Sequence, residues 1–327
     1  MISVIIPAYN AAQTLPACLA ALQGQTRPPG EIIVVDDGSQ DQTAQVARAY
    51  GVQLLEQPHQ GPAAARNLGI RQARGDIILL TDADCEPEPT WVAEMTRPFA
   101  DPRVVGVKGS YRTYQQERVA RLAQVEFEER YDLLERLSTI DFIDTSAAAF
   151  RLAALREMGG FDPAFPQAVS EDVEFSYRLA RAGYRLVFNR QAVVYHRHPS
   201  TWCAYLRRKI KFGYWRMIVY RLHPGKALRD SYTPQLLKVQ IVLMYLVLGL
   251  AGLAFIFPLL GWGALAALIG LCLSAIPFVR RVAQQDHALV VVAPLFIVMR
   301  ALASAIGVAG GIVGMFFFRP ALPHNRE

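Results

Sequence analysis

Residues 75–85 read GDIILLTDADC. Ile77, Ile78, Leu79 and Leu80 make a short apolar run, as in a strand buried on both faces, and after Thr81 it runs into Asp82 and Asp84, separated by Ala83. In an extended chain, side chains at i and i+2 point the same way. The two carboxylates can therefore converge on one hard cation, or they form an exposed acidic turn. The preceding sequence has the same design. Residues 3–6 read as a strand closed by Pro7, and a helical pattern begins at Asn10 and runs through Leu15, Leu19 and Leu22. Residues 31–35 read as a second strand ending in Asp36-Asp37-Gly38-Ser39, after which Asp41 can cap a helix over 42–50. Residues 52–55, 63–73 and 77–80 continue as strand, helix and strand. This alternation predicts an α/β fold with a parallel sheet covered by helices on both faces. Ligands of such sheets bind beyond the carboxyl ends of the strands, which is where Tyr9, Asn10, Asp36, Asp37, Asp82 and Asp84 fall.

Composition changes along the chain. Up to about residue 233 charged and apolar residues mix as in a soluble domain, whereas residues 236–279 and 288–318 are almost uncharged. At ~1.5 Å per residue, residues 236–257 can cross a ~30 Å hydrocarbon core and 261–279 can cross back. Arg300 interrupts the third apolar stretch, which reads as a short interfacial or re-entrant helix to Met299 followed by a glycine-rich span; one long tilted helix is the alternative. Met1 leads straight into a strand, so no signal peptide is expected. The linker 258–260 is uncharged while Arg280 and Arg281 follow the second span, which places the N-terminal part on the cytoplasmic side of a multi-pass inner-membrane protein. Cys18, Cys85, Cys203 and Cys272 have neither metal-type nor disulfide-type spacing and fit a reducing compartment. The formal net charge is +6, but the basic residues gather between Arg197 and Arg229, just before the first span. That distribution argues for anionic lipid headgroups or phosphates and against nucleic acid. Trp202, Tyr205, Phe212 and Trp215 interleave with the basic residues, as in amphipathic helices lying on a membrane surface; a basic helix packed on the soluble part is the alternative.

Neither a GxGxxG turn nor a P-loop lysine motif follows the first strand, so a Rossmann dinucleotide site and a P-loop are disfavoured. Carboxylates at the strand ends suit base N–H groups and ribose hydroxyls; the phosphates then need a metal. Arg66, after Gly61-Pro62, is a cation for the same face or an exposed helix arginine.

The motifs SVIIPAYN (3–10), VVDDGSQDQT (34–43), GPAAARN (61–67) and TDAD (81–84) closely resemble glycosyltransferase family 2. The resemblance covers about the first 230 residues. It implies a GT-A (nucleotide-diphospho-sugar transferase, Rossmann-like) catalytic domain, a sugar-nucleotide donor and inversion at the anomeric carbon. Pro7, Tyr9, Asp36, Asp37 and Arg66 would surround the nucleoside, with Asn10 and Asp82 beside them. Asp82-Ala83-Asp84 becomes the DxD motif, with Asp84 the leading ligand of Mg²⁺ or Mn²⁺ and Asp82 on the ribose or the metal's waters. Gly159-Gly160-Phe161-Asp162 is similar to the family's turn here, although Pro163 stands where an acid is common. Asp172 matches the general base, with Glu171 beside it; direct displacement needs a base opposite the leaving nucleotide, although acids are also favoured at any helix N-terminus. His196 stands where some relatives supply a third metal ligand, and is otherwise a hydrogen-bonded surface histidine. Phe212-Gly213-Tyr214-Trp215-Arg216 replaces the QxxRW signature of processive synthases. The charge-rich helix over 114–137 reads as a solvated cover on the acceptor side.

The expected organisation is a catalytic domain over 1–195, basic interface helices over 196–233 and a transmembrane helical region over 234–318. The expected function is transfer from a nucleotide sugar, UDP-linked in the first instance, to a lipid-linked or glycan acceptor among membrane lipids. The alternatives are a polyprenyl-phosphate sugar transferase, a processive polysaccharide synthase, or a non-catalytic membrane protein or transporter.

Overall fold

β1 (Ile2–Ala8), β2 (Glu31–Asp36), β3 (Gln53–Glu56) and β4 (Ile77–Leu80) lie parallel in the order β3-β2-β1-β4. They are linked through α1 (Leu15–Gln23), α2 (Thr43–Ala49) and α3 (Pro62–Gln72). This computed structural model describes residues 1–165, 169–228, 230–231 and 233–319. β1 outlasts its pairing with β4, which ends at Ile5 opposite Leu80, so Pro7 falls where only β2 still pairs and its missing N–H breaks no rung to β4.

The parallel expectation holds for these strands and fails beyond them. β5 (Glu86–Pro87), α4 (Trp91–Thr96), β6 (Val104–Arg112), α5 (Arg118–Glu135), β7 (Ala148–Arg151), α6 (Leu152–Glu157), α7 (Glu171–Arg181) and β8 (Arg185–Tyr195) follow. The sheet extends β4-β7-β6-β8-β5, with β7 antiparallel to both neighbours and β5 antiparallel to β8. It is a mixed sheet, because the regular strand-helix alternation stops after β4. Phe150, Phe161 and Phe175 fill its interior, with Phe175 at ring distances of 5.5 Å and 4.8 Å from the other two. The helix expected from Asn10 starts only at Leu15: Asn10 adopts φ 49, and its Oδ1 accepts from Gln40 N at 2.8 Å.

Contacts divide the chain into two compact units, Met1–Tyr114 with Tyr131–Arg197, and Gln115–Arg130 with His198–Phe318. The second contains α8 (Trp202–Leu222), α9 (Gln235–Leu253), α10 (Leu260–Ser274), α11 (Ile276–Gln285) and α12 (Ala293–Gly314). The stretches Gln235–Leu253, Leu260–Gln285 and Ala293–Gly314 are long and apolar enough to cross a membrane. The basic stretch forms one helix, α8, instead of several, and packs against α12. A Cβ on Gly213 would lie 2.7 Å from Ser304 O, and one on Gly307 would collide with Ile210 O, so small residues set this close approach.

The re-entrant reading of the third apolar stretch is corrected: α12 runs unbroken through Arg300. Arg300 is buried and does not break the helix because its charge is met inside the unit. Its Nη2 donates to Gln240 Oε1 at 2.7 Å, and Nη1 lies 3.6 Å from Glu126 Oε1. The helix expected to be a solvated cover likewise buries Glu126, which Lys209 reaches at 2.7 Å, Arg130 at 3.6 Å and Tyr205 Oη at 3.0 Å. Burial alone would raise the Glu126 pKa, but Lys209, Arg300 and Arg130 outweigh it and hold the carboxylate well below its usual range. Replacing Glu126 with glutamine leaves these buried cations without their shared counter-charge. By the cost of breaking a buried ion pair, Glu126→Gln should destabilise the unit by about 3–5 kcal/mol, read as an early melting transition in detergent.

Candidate active site

The carboxyl ends of β1 and β2 meet through hydrogen bonds between their loops. Asn10 N donates to Ser39 Oγ at 2.9 Å, and Ser39 N donates to Asp36 Oδ1 at 2.9 Å. Asp36 and Asp37 are both buried, but they are engaged differently. Asp37 Oδ1 accepts from Gln57 Nε2 at 2.6 Å and Gln60 N at 2.9 Å, while Oδ2 accepts from Gly61 N at 2.8 Å and lies 2.9 Å from His59 Nδ1. A carboxylate has about four acceptor positions, and three of those on Asp37 take hydrogen bonds from residues 57–61. It organises the 57–61 loop at the end of β2. Tyr9 stays 46% exposed and stacks on His59 at 4.2 Å.

Arg66, on α3, is 1% exposed and bridges two acids. Its Nη1 donates to Glu171 Oε1 at 2.6 Å and its Nη2 to Asp82 Oδ1 at 2.9 Å. Burial would lower the Arg66 pKa, but Asp82 and Glu171 raise it and keep the guanidinium charged. Arg66 is therefore not the exposed helix arginine of one sequence reading but a buried cation on the face that carries Asp82. Ser146 Oγ donates to the other oxygen of Asp82 at 2.5 Å. Burial opposes it, yet Arg66 and Ser146 hold Asp82 below the usual carboxylate range.

That engagement separates the two aspartates of the opening motif. The oxygens of Asp82 are committed to Arg66 and Ser146, whereas Asp84 groups with Cys85 and His196, their ligand atoms within 4.8 Å of one another. Asp82 is not in that group, and each of its oxygens accepts one hydrogen bond instead. Sheet register explains the grouping. β5 pairs with β8 so that Glu86 lies opposite Tyr195, and extending this antiparallel register by one residue sets Cys85 opposite His196. A carboxylate suits Mg²⁺ or Mn²⁺, and an imidazole beside it suits Mn²⁺ better than the oxygen-seeking Mg²⁺. Burial, then the Asp84 and Asp82 charges, push the Cys85 thiol well above its usual range, so Cys85 stands by as a neutral thiol. The residues that fit the cation are Asp84 and His196.

Glu171 and Asp172 open α7 behind Ser170, which adopts φ 72. Asn10 and Ser170 are the non-glycine residues with positive φ among the described residues, and both adjoin site residues. Glu171 Oε2 is buried without a hydrogen-bond partner among the described residues. Asp172 is half-buried, and its Oδ1 accepts from Val173 N at 2.8 Å. Burial, then the Glu171 and Asp144 charges, push Asp172 up to about 8. Asp144 in turn pairs with the buried Lys108, whose ammonium lies 5.1 Å from the centre of the Tyr111 ring. The sequence reading missed His59, Cys85, Ser146 and the Lys108–Asp144 pair. Cys85 and His59 adjoin the motifs and were visible as neighbours; Ser146 and Lys108 carried no local signal.

Residues 3–159 match the family model described as Glycosyl transferase family 2. The pre-mycofactocin glycosyltransferase of Mycobacterium tuberculosis is 30% identical over 243 residues, covering 69% of this chain and 48% of that protein. Glycosyltransferase AglE of Haloferax volcanii is 32% identical over 212 residues, 60% of this chain and 66% of that one. The chain thus spans about half to two thirds of the length of these relatives. Among solved structures, a mannosyltransferase from Pyrobaculum calidifontis, in complex with GDP-Man and Mn²⁺, superposes with a TM-score of 0.57 at 22% identity, covering 97% of this chain and 87% of that one. That likeness concerns the fold, which is GT-A.

Proposed function

We propose, from the premise that this chain belongs to glycosyltransferase family 2, that it transfers a sugar from a nucleotide-sugar donor, UDP-linked in the first instance, to an acceptor held at a membrane. The observation that carries this reading is the pairing of β5 with β8, which joins Asp84 to His196 beside the strand ends bearing Asp36 and Asp82. A bound Mg²⁺ or Mn²⁺ would neutralise the donor diphosphate and its charge on leaving. Asp84 and His196 would hold that ion. Arg66 fixes Asp82 and Glu171 in place, and the open Oε2 of Glu171 can accept from a sugar hydroxyl.

Asp172 would take the acceptor proton as the acceptor oxygen bonds to the anomeric carbon and the bond to the nucleotide diphosphate breaks. One displacement inverts the anomeric centre. The membrane part of the reading is supported by the apolar helices and by the basic side chains of α8. Incubating the full chain in lipid with UDP-sugars and Mn²⁺ should release UDP faster than in lipid alone. No release from any nucleotide sugar would count against the assignment.

The pKa of Asp172 gives this reading a pH signature. Only the ionised carboxylate can accept a proton, so transfer should rise with pH through a limb near 8, and Asp172→Asn should lack the limb. The effect on stability runs the other way. A folded-state value raised above 3.8 favours the protonated native state, so this group's contribution is complete below 3.8 and is lost as pH rises through about 8. The metal-free protein should accordingly melt earlier on the alkaline side of that window, and by less in Asp172→Asn.

A further inference from the structure

We propose that the Cys85 thiol turns the place held by Asp84 and His196 into a three-donor site for a thiophilic ion of the Zn²⁺ class, which displaces the Mg²⁺ or Mn²⁺ that the donor needs. This goes beyond the reading above and rests on its assignment of Asp84 and His196 to the metal. The first observation is the donor set. The ligand atoms of Asp84, Cys85 and His196, a carboxylate oxygen, a sulfur and an imidazole nitrogen, lie within 4.8 Å of one another. Four-coordinate Zn²⁺ takes these same three kinds of donor at about 2.0–2.3 Å, which sets its ligand atoms about 3–4 Å apart. Small side-chain rotations are enough to close the site.

The second observation is how the donors are held. Cys85 is fully buried, yet its Sγ turns towards the carboxylate, 3.9 Å from Asp84 Oδ1. Its backbone is fixed on both sides: Cys85 N donates to Asp82 O at 3.1 Å, and β5 begins at the next residue. His196 is buried too, with its N donating to Arg112 O at 2.9 Å and its ring centre 5.3 Å from that of Tyr111. A buried cysteine is ordinarily a small apolar filler, whereas this one has an oxygen and a nitrogen donor beside its sulfur. Donors fixed before the ion arrives cost little entropy on binding, which favours an ion able to use all three.

The third argument is chemical. Mg²⁺ and Mn²⁺ prefer oxygen and leave a thiol uncoordinated, whereas thiolate selects Zn²⁺, which also stands above Mn²⁺ in the general order of affinities. As Zn²⁺ binds, the S–Zn bond forms, the S–H bond breaks and the proton passes to water; no electron is transferred. Three protein ligands leave a tetrahedral ion one open position. A diphosphate that chelates its ion through two oxygens needs two. An octahedral Mn²⁺ on Asp84 and His196 retains them, and a tetrahedral Zn²⁺ on all three residues does not. Zn²⁺ thus occupies the site and withholds it from the donor.

The test is titration of the full chain, reduced and in detergent, with Cd²⁺, Zn²⁺ or Mn²⁺. Cd²⁺ reports its own ligand, because a bound thiolate gives an ultraviolet charge-transfer band. The parent should show that band at equimolar Cd²⁺, Zn²⁺ should erase it, and Cys85→Ser should lack it. Supporting residues around a metal ligand are worth about 10–100-fold in affinity, so by calorimetry Cys85→Ser should lose at least about a hundredfold for Zn²⁺. It should keep its Mn²⁺ affinity, which also shows that it folds. Loading the parent with Zn²⁺ should abolish the UDP binding seen with Mn²⁺, and UDP bound as tightly with either ion would overturn the exclusion of the donor. If the parent binds Mn²⁺ and UDP but shows no thiolate band, or if the band survives in Cys85→Ser, the role of Cys85 is wrong while the functional reading stands. Cys85→Ser and Cys85→Ala losing as much affinity for Mn²⁺ as for Zn²⁺ would overturn the selectivity. If the parent binds neither ion, both readings fall.

Discussion

Replacing Asp172 with asparagine is expected to cut transfer by about two to four orders of magnitude, the usual worth of a positioned general base. The amide keeps the size of the side chain and an acceptor for Val173 N. Nucleotide and metal binding should therefore change little, and the loss should fall on kcat. The size of the loss also reads the acceptor. A hydroxyl must give up its proton and needs the base, whereas a phosphate is already ionised and would leave Asp172→Asn substantially active. Equal rates for the parent and Asp172→Asn with a hydroxyl acceptor would remove Asp172 from the chemistry.

Asp84→Ala should abolish metal-dependent nucleotide binding. Residues that merely support a metal ligand are worth about 10–100-fold in metal affinity, so loss of a direct ligand should cost at least about a hundredfold. Asp82→Asn provides the contrast. It weakens one arm of the Arg66 bridge and leaves Asp84 and His196 in place, so it should disturb turnover more than metal affinity. Calorimetry with Mn²⁺ and UDP separates the two. Asp84→Ala binding both as tightly as the parent would overturn the metal assignment.

Which parts of this site were legible follows from the range of the interactions. The DDGS and DAD turns could be read because a buried strand and its polar end lie within a few residues of each other. The burial of Arg66 and its bridge to Glu171 could not, since that partner lies 105 residues away and a helix arginine has no local mark of burial. The separation of Asp82 from Asp84 was half legible. Resemblance favoured Asp84, but the reason lies in Ser146 and Arg66 engaging Asp82 and in a β5–β8 register that no local pattern records.

The same limit explains Asp37 and α12. The loop that Asp37 binds begins 20 residues later, so no local pattern records those bonds. Arg300 looked like a break in an apolar stretch because its partners, Glu126 and Gln240, belong to other helices. The sheet beyond β4 was equally hidden, as β7 joins β4 antiparallel after the regular alternation has ended.

The central claim is that this site moves a sugar from a nucleotide onto a molecule held in the membrane. Mass spectrometry of the lipid extract, after the full chain in native lipid is given mixed nucleotide sugars and Mn²⁺, tests it most directly. A lipid species heavier by one sugar residue is expected, appearing only with metal and missing with Asp84→Ala. Sugar found only on water-soluble acceptors, or a product formed equally in excess chelator, would contradict it.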